Sequence, residues 1–243
     1  MRFINAILTK TIYRVEVTGL GNIPLTGPAI IAANHLSYGD PAWLDSVLPR
    51  KARMVMYRGI YDPHVSILGR LIPIPFVRGF FDLFQVIPIA ANPPKAMRKS
   101  LEQAAAVLKE GGLVAIFPEG RISRIGGMLG FNRGIEVIAR EAQEVKDLVI
   151  VPVYLGGVWG SILSRSKGRF FLKWPEKIPY PIRVNFGKPL PADTPAWRIR
   201  QEVEELAAED FRTYLKTKPS LALQFLRSAK RHWFKLSSAD ALE

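Results

Sequence analysis

The chain of 243 residues is 48% hydrophobic and 23% charged, which fits one large or two small globular domains and excludes disorder, collagen or coiled coil as a description of the whole chain. It contains no cysteine, which excludes disulfides, cysteine-ligated zinc and a cysteinyl thioester intermediate. Its 34 Lys and Arg against 21 Asp and Glu give a net charge of +13, which favours anionic partners: nucleic acid, anionic lipid headgroups, phosphorylated substrates or acidic carrier proteins.

The first predicted element is an amphipathic helix over residues 1–14, whose apolar pattern at helical spacing runs on to Val15. Such a helix can pack on the protein's own core or lie in a membrane interface. No stretch approaches the roughly 18 uninterrupted apolar residues of a membrane span, and no secretory signal is recognisable. We therefore expect the chain to stay in the cytoplasm, where it can lie on a membrane surface.

Residues 15–217 are predicted to form one α/β domain, because strand-like runs alternate with helical patterns. Helices are predicted over residues 95–110 and 194–217, and another is predicted to begin with Asp40 as its N-cap and Pro41 as its first residue. The predicted strands cover residues 28–33, 53–57, 86–90, 113–117, 147–155 and 182–186. This order of elements indicates a largely parallel central sheet flanked by helices.

The last predicted element is a basic amphipathic helix over residues 218–243. Lys and Arg occur between residues 211 and 236, but no acid does, and Trp233 and Phe225 lie on the apolar side. This pattern is typical of a helix at an anionic membrane surface, although it also fits an ordinary packed terminal helix.

His35 and Asp40 are the first candidates for catalysis, since they lie on the loop that follows an apolar strand. Histidine is the side chain best suited to accept a proton near neutral pH, and a carboxylate bonded to its second ring nitrogen would orient it. A loop that contains Gly39 can fold Asp40 back onto His35. The alternative is a helix cap beside a structural histidine.

A second group of candidates follows the predicted strand 113–117, in the segment from Phe117 to Ser123. Because ligands collect at the carboxyl ends of strands in open α/β sheets, one crevice could hold His35, Asp40, Glu119 and Arg121. Arginines such as Arg121 and Arg124 are suitable partners for a phosphate. The alternative is a glycine-rich turn with a surface carboxylate.

A basic cluster is formed by Arg50, Lys51, Arg53 and Arg58. These side chains could bind phosphates or simply face solvent.

These motifs carry a family resemblance, because they occur in the order of three of the four sequence blocks of the glycerolipid acyltransferases. The motifs are Asn34-His35 with Asp40, then Phe117-Pro118-Glu119-Gly120, then Val151-Pro152-Val153. Over about residues 15 to 190 the chain thus resembles the 1-acylglycerol-3-phosphate acyltransferases. Within this family it most resembles the acyltransferase domain of bacterial 2-acylglycerophosphoethanolamine acyltransferase/acyl-carrier-protein synthetase fusions, through Glu119-Gly120-Arg121-Ile122-Ser123, Trp159-Gly160-Ser161 and Phe186-Gly187-Lys188-Pro189-Leu190.

The chain departs from the family pattern at two places. Ala90 and Ala91 stand where the second block usually has an arginine that helps to hold the acceptor's phosphate, and Arg121 follows Gly120 directly rather than two residues later. Both departures favour an acceptor with a larger headgroup than that of lysophosphatidic acid.

The resemblance implies a peripheral enzyme on the cytoplasmic face of the membrane that moves a fatty acyl chain from acyl-CoA or acyl-carrier protein to a lysophospholipid. His35 would be the general base and Asp40 its orienting partner, with neither a metal nor a separate cofactor. The residues implied to bind substrate are Asn34, Glu119, Gly120, Arg121 and Ser123. With no cysteine and no Gly-x-Ser-x-Gly motif, a covalent acyl-enzyme is not expected.

Two other functions remain open at this point. The charge also suits a non-catalytic basic protein that binds lipid or nucleic acid, although no motif typical of nucleic-acid binding is present, so we expect no nucleic-acid partner. A hydrolase could instead use His35 and Asp40 to activate water.

Overall fold

The computed structural model describes residues 12–57, 85–89, 93–168 and 178–217, with residues 223, 226 and 228–230 beyond them. The chain divides into two compact units, Met1–Ala207 and Ala208–Glu243. The described strands are β1 Tyr13–Thr18, β2 Ala29–Ala33, β3 Ala52–Tyr57, β4 Ile87–Ile89, β5 Leu113–Ile116, β6 Val149–Gly156, β7 Tyr180–Phe186 and β8 Leu190–Pro191. The α-helices with continuous described backbone are α1 Asp40–Val47, α2 Pro94–Lys109, α3 Gly134–Glu141 and α4 Ala196–Lys216.

All of the described strands belong to one sheet in the first unit, in the order β4-β3-β5-β2-β6-β7-β1, with β8 paired to β6. The pairs within β4-β3-β5-β2-β6 are parallel, and so is the pair β7-β1. Strands β7 and β8 each pair antiparallel with β6. The prediction of an α/β domain with a largely parallel central sheet flanked by helices is therefore confirmed.

Strand β2 lies at the centre of the sheet and separates the two halves of the core. All five of its residues, in the run Ala-Ile-Ile-Ala-Ala, are fully buried, as expected for a parallel strand covered on both faces. Ile31 faces the cluster that contains Trp43 and Leu44 of α1. Ile30 faces the opposite cluster, which α2, α3 and the first turn of α4 complete. The small alanines of β2 let these layers approach the sheet closely.

The helix predicted for the N-terminal segment does not extend to its last residues. Tyr13 and Arg14 lie in β1, where Tyr13 is paired with Tyr180 of β7. Side chains in β1 alternate between the two faces of the sheet, as expected for a strand. Tyr13 and Val15 point inward, whereas Arg14 forms an exposed ion pair with Glu16 at 3.1 Å. Assigning Tyr13 and Arg14 to a helix was therefore wrong, and residues 1–11 lie outside the described residues.

Several other sequence predictions have clear outcomes. The six predicted strands and both long helices within the domain are present with boundaries shifted by at most two residues, whereas α3, β1 and β8 were not predicted. Ala90 and Ala91 lie outside the described residues. For the basic helix predicted over residues 218–243, only residues 223, 226 and 228–230 are described, and these are helical. Within the described parts of the chain, no helix is both long and apolar enough to cross a membrane.

Arg50 is hydrogen-bonded to two loops at the amino ends of the central strands. Its guanidinium donates hydrogen bonds to the carbonyl oxygens of Pro24 at 3.0 Å and Gly111 at 3.1 Å, and also to that of Gly27. These loops precede β2 and β5, so they lie at the opposite end of the strands from the loop that carries His35. Arg50 is thus used within the fold, which accounts for one member of the basic cluster.

Replacing Arg50 with alanine is expected to lower the free energy of unfolding by about 2 kcal/mol, because three partly buried carbonyl groups lose a charged donor. Urea unfolding measures this loss. The control is Lys51→Ala, which removes a neighbouring exposed charge and should change stability by less than about 0.5 kcal/mol. Equal losses in the two variants would contradict the bridging role of Arg50.

Candidate active site

The register of the central strands brings the two candidate loops together. Ala32 of β2 is paired with Ile116 of β5, so both strands end at the same level of the sheet. The chain continues from β2 into Asn34 and His35, and from β5 into Phe117, Pro118 and Glu119. The carboxyl ends of neighbouring parallel strands therefore place both motifs at one edge, where α/β sheets bind ligands.

Asn34 continues the pairing of β2 with β6 through its side chain. Its Nδ2 donates to the carbonyl of Leu155 at 3.2 Å, and its Oδ1 accepts from the N–H of the same residue at 2.7 Å. The asparagine is 1% exposed, so both of these bonds are shielded from water. The side chain thereby replaces a main-chain pair just where the backbone of β2 turns away to present His35.

Asp40 is a buried acceptor for the loop that precedes it, and it is not the N-cap of α1. Its Oδ2 accepts from the N–H of Leu36 at 2.7 Å, the N–H of Ser37 at 2.8 Å and Nδ1 of His35 at 2.8 Å. The cap position is taken by Gly39, and no side chain bonds there. The predicted capping role is therefore wrong, because the carboxylate is turned back toward the loop.

The burial of Asp40 sets its electrostatics. Complete burial raises the pKa of Asp40, while the hydrogen bonds and charge of His35 and the N–H groups of Ser37 and Leu36 oppose this rise. No described residue donates to its Oδ1, which is also buried. At this buried position, the electrostatic attraction between the carboxylate and the neighbouring imidazole becomes strong when the imidazole is positively charged.

His35 is held on three sides. Nδ1 faces Asp40, the ring stacks on Phe117 with centroids 4.3 Å apart, and the backbone carbonyl accepts from the N–H of Ser123 at 3.0 Å. The side chain is only 11% exposed, yet it lines the cavity described below. Since Asp40 occupies Nδ1, Nε2 is the ring nitrogen that remains for a ligand.

Glu119 joins the two loops through backbone groups. Its Oε1 accepts from the N–H of His35 at 2.8 Å, and its Oε2 accepts from the N–H of Leu129 at 2.9 Å. The residue is 3% exposed, and this burial raises the pKa of its carboxyl group despite the two opposing hydrogen bonds. The carboxylate thus fixes the position of the catalytic candidate from the neighbouring strand.

The turn after β5 depends on Gly120 and Asn132. Gly120 has a φ of +68°, and a Cβ there would lie 2.9 Å from Nδ2 of Asn132. The same Nδ2 donates to the carbonyls of Pro118 and Glu119, each at 3.1 Å. Ser123 is fully buried, and its hydroxyl accepts a weak bond from the N–H of Ile125. These contacts shape the loop that leads to Arg121.

A cavity of about 870 Å³ opens beside His35. Its polar lining comes from His35, Tyr38, Arg121, Arg124, Asn132 and Arg165. Its apolar lining includes Val55, Met56, Ile89, Leu101, Ile116 and Ile135, from β3, β4, α2, β5 and α3. Basic and apolar walls in one cavity suit a ligand that has both an anionic group and a hydrocarbon part.

The structure sorts the candidate residues into two groups. His35, Gly120 and Arg121 line the cavity, whereas Asn34, Asp40, Glu119 and Ser123 are buried beside it and bond to the protein itself. Sequence reasoning missed Tyr38, Asn132 and Arg165 as lining residues. Nothing in the local sequence around Asn132 or Arg165 indicates that they line the cavity, but Tyr38 lies within the His35–Asp40 loop.

Among the described residues, no group of three or more His, Asp or Glu is placed to hold a metal ion.

Comparison with known proteins points to one family. The family model described as Acyltransferase matches residues 14–156. A chloroplastic 1-acyl-sn-glycerol-3-phosphate acyltransferase of Arabidopsis thaliana is 26% identical over 157 residues, 64% of this chain and 40% of that protein. The 1-acyl-sn-glycerol-3-phosphate acyltransferase of Pseudomonas aeruginosa is 28% identical over 200 residues, 80% of this chain and 66% of that protein. The matches thus span less than two thirds of the length of these relatives.

The fold is similar to that of a solved structure. The crystal structure of the 1-acyl-sn-glycerophosphate acyltransferase PlsC from Thermotoga maritima superposes with a TM-score of 0.62 and 21% sequence identity. The superposition covers 90% of this chain and 81% of that chain. At this identity the likeness bears on the fold alone, and the resemblance to the fusion-protein branch stays a prediction.

The substitution Asn34→Ala is expected to lower the free energy of unfolding by about 3 kcal/mol, because it leaves the N–H and the carbonyl of Leu155 buried without partners. Denaturant unfolding measures the effect. Asn22→Ala is the control, since it removes a single bond, to the carbonyl of Phe186 at 3.0 Å, at a half-buried position and should cost about 1 kcal/mol. A smaller loss for Asn34→Ala than for Asn22→Ala would rule out the pairing role.

The effect of Glu119→Gln should depend on pH in a defined direction. Because the folded-state pKa of Glu119 is raised, this group contributes stability that is present below the ordinary value of 4.5 and is lost as the pH rises through the folded pKa. Glutamine does not titrate, so the stability deficit of Glu119→Gln should be largest at and below pH 4.5 and shrink as the pH rises through the folded pKa of Glu119.

Urea unfolding at several pH values measures the deficit, and Glu136→Gln provides a control of opposite sign. The pKa of Glu136 is lowered by the N–H of Ala196 and by Arg133, so the deficit of that variant should grow as the pH rises through 4.5. A deficit for Glu119→Gln that also grows with pH would contradict the burial of its carboxylate.

Proposed function

Because the Acyltransferase family model covers more than half of the chain, this protein belongs to the acyltransferase family, and on that basis we propose that it transfers a fatty acyl chain from a thioester to the free hydroxyl of a lysophospholipid. The observation that carries this proposal is the His35–Asp40 pair at the wall of a cavity with both basic and apolar lining.

In the proposed reaction, Nε2 of His35 accepts the proton of the acceptor hydroxyl as its oxygen attacks the thioester carbonyl. Asp40 keeps the proton on Nδ1 through the 2.8 Å hydrogen bond and stabilises the imidazolium that forms. The attack produces a tetrahedral oxyanion. When this intermediate collapses, the carbon–sulfur bond breaks and the thiolate leaves with the proton that His35 held.

Direct transfer between the two substrates follows from the residues available. The chain has no cysteine. Among the described residues, no serine is hydrogen-bonded to the His35 ring. The contribution of the protein is therefore to hold the hydroxyl and the thioester together, since orientation alone can supply several kcal/mol of the barrier reduction. Asn34, Glu119 and Ser123 act in this proposal by fixing the backbone of His35 and its neighbouring loop.

Substrate binding is assigned to the two kinds of cavity wall. The apolar side chains from β3, β4, α2, β5 and α3 take the hydrocarbon chain, and Arg121 at the exposed rim takes a phosphate. Gly120 lets the backbone approach the ligand beside it. The acyl donor, acyl-CoA or acyl-carrier protein, is a co-substrate, and no separate cofactor enters the scheme.

The proposed location is the cytoplasmic face of a membrane, to which the protein is peripherally bound. The net charge of +13 supports an anionic lipid surface as partner, and an amphiphilic lysophospholipid acceptor would partition into that surface. In this view the phospholipid surface supplies the substrate, while nucleic acid has no part in the function.

The test is acyl transfer by the purified 243-residue protein, with acyl-CoA and acyl-carrier protein as donors and a panel of lysophospholipids as acceptors. His35→Ala should reduce turnover at least a hundredfold, since it removes the general base. Asp40→Asn should also reduce it at least a hundredfold, because the ring loses its orienting partner. Ser46→Ala, which removes a hydroxyl bonded to the carbonyl of Trp43 outside the cavity, is the control and should retain full activity.

Each competing function predicts a different result. Release of free fatty acid at the same rate with and without acceptor would identify a hydrolase. Tight binding of anionic liposomes without turnover of any donor and acceptor would identify a lipid-binding protein. Undiminished transfer by a folded His35→Ala variant would reject the proposed mechanism.

A further inference from the structure

Arg165 lines the cavity from a segment that is hydrogen-bonded to the His35–Asp40 loop. Ser37 forms a β-bridge with Ser164, and the N–H of Tyr38 donates to the carbonyl of Leu163 at 3.1 Å. The hydroxyls of Ser37 and Ser161 lie 3.4 Å apart, and both residues are fully buried. Residues 161–166 therefore cannot shift without disturbing the loop that carries the base.

Arg165 projects from this fixed segment into the cavity. Its guanidinium donates to the hydroxyl of Tyr38 at 2.9 Å and lies over the same ring, 5.8 Å from the centroid. Both side chains line the cavity together with His35. Contacts through the ring and the hydroxyl orient the guanidinium, yet they use only part of its five N–H donors.

The charge of Arg165 has no carboxylate to balance it within the part of the chain that the structure describes. Other arginines on the surface, such as Arg98 and Arg133, pair with glutamates. Among the described residues that line the cavity there is no Asp or Glu, whereas three are arginines. A half-buried guanidinium in a cavity whose described lining offers no counter-charge is suited to an anionic ligand.

We infer that Arg165, oriented by Tyr38, forms a phosphate-binding subsite beside His35, which deepens the proposed acyl transfer and rests on it. This subsite differs from the one assigned to Arg121. Arg121 and Arg124 are exposed on a loop that contains Gly126, Gly127 and Gly130, whereas Arg165 is anchored to the loop between His35 and Asp40. A phosphate held by Arg165 is thereby fixed relative to the reacting hydroxyl or thioester.

Either substrate could supply this phosphate, since the lysophospholipid headgroup and the pantetheine-linked donor both carry one. The same chemistry, bidentate N–H donation to phosphate oxygens, serves both. Arg165 consequently determines specificity for whichever substrate presents its phosphate at this wall. The two sources are separated by comparing each substrate with an analogue that lacks the phosphate.

The experiment compares Arg165→Gln with the matched variant Arg140→Gln in the whole 243-residue chain. Arg140 is exposed on α3 and does not line the cavity, so both variants lose one positive charge but only one alters the subsite. Arg165→Gln should raise the KM for one phosphorylated substrate about tenfold and change kcat by less than about threefold. Arg140→Gln should leave both constants unchanged.

The source is identified by two pairs of substrates. A rise in KM for a lysophospholipid but not for monoacylglycerol assigns the subsite to the acceptor, and a rise for acyl-CoA but not for S-acyl N-acetylcysteamine assigns it to the donor. Arg165→Lys, which keeps the charge without the fork of donors, should recover part of the loss. Unchanged KM values for both phosphorylated substrates would overturn the inference.

A second measurement is independent of turnover. Inorganic phosphate, added at constant ionic strength, should raise the Tm of the parent protein and of Arg140→Gln more than that of Arg165→Gln. Equal protection of the two variants would overturn the subsite even if the enzyme is active. Absence of transfer in the parent protein would instead reject the proposed function, while selective loss of protection in Arg165→Gln would still support phosphate binding.

Discussion

Three consecutive backbone N–H groups leave the central strand at buried positions, and each requires an acceptor. The N–H of His35 donates to Glu119, and those of Leu36 and Ser37 donate to Asp40. An unpaired buried N–H costs about as much as a lost hydrogen bond, so these two carboxylates are needed for the loop to take this path at all. The two carboxylates that accept these N–H groups also fix the position of the His35 ring, because Asp40 is bonded to its Nδ1 as well.

This constraint links folding and chemistry in the same side chains. Asp40 holds the loop and also faces Nδ1 of His35, so a positive charge on the imidazole meets a carboxylate that is already fixed. Glu119 comes from the adjacent strand end and ties the position of His35 to the turn that leads to Arg121. Burial raises the pKa of both carboxyl groups, and the hydrogen bonds that each of them accepts oppose this rise. The proposed transfer uses this fixed arrangement, and the surrounding arginines supply the charge that attracts phosphate.

The sequence allowed the central architecture and the two motif loops to be predicted, because these depend on local patterns. The buried run Ala29–Ala33 and the strand Leu113–Ile116 are short apolar segments, and parallel pairing brings the loops that follow them to one edge. The functions of Asn34 and Arg165 could not be read in this way. Their partners, Leu155 and Tyr38, lie 121 and 127 residues away in the chain, and no spacing rule connects them. The first two residues of strand β1 were misassigned because the apolar positions before them fit a helical period, whereas pairing with β7 favours the two-residue period.

The central claim is that Asp40 holds the proton of the His35 ring on Nδ1 and leaves Nε2 as the base that faces the cavity. Nitrogen-15 NMR of the imidazole side chains tests this directly, since the chain has three histidines and the His35→Gln variant identifies the signal of His35. At neutral pH we expect a ring with a protonated Nδ1 in a strong hydrogen bond and an unprotonated Nε2. A ring protonated at Nε2 with Nδ1 bare would contradict the account, because that tautomer cannot accept the proton of an acceptor hydroxyl.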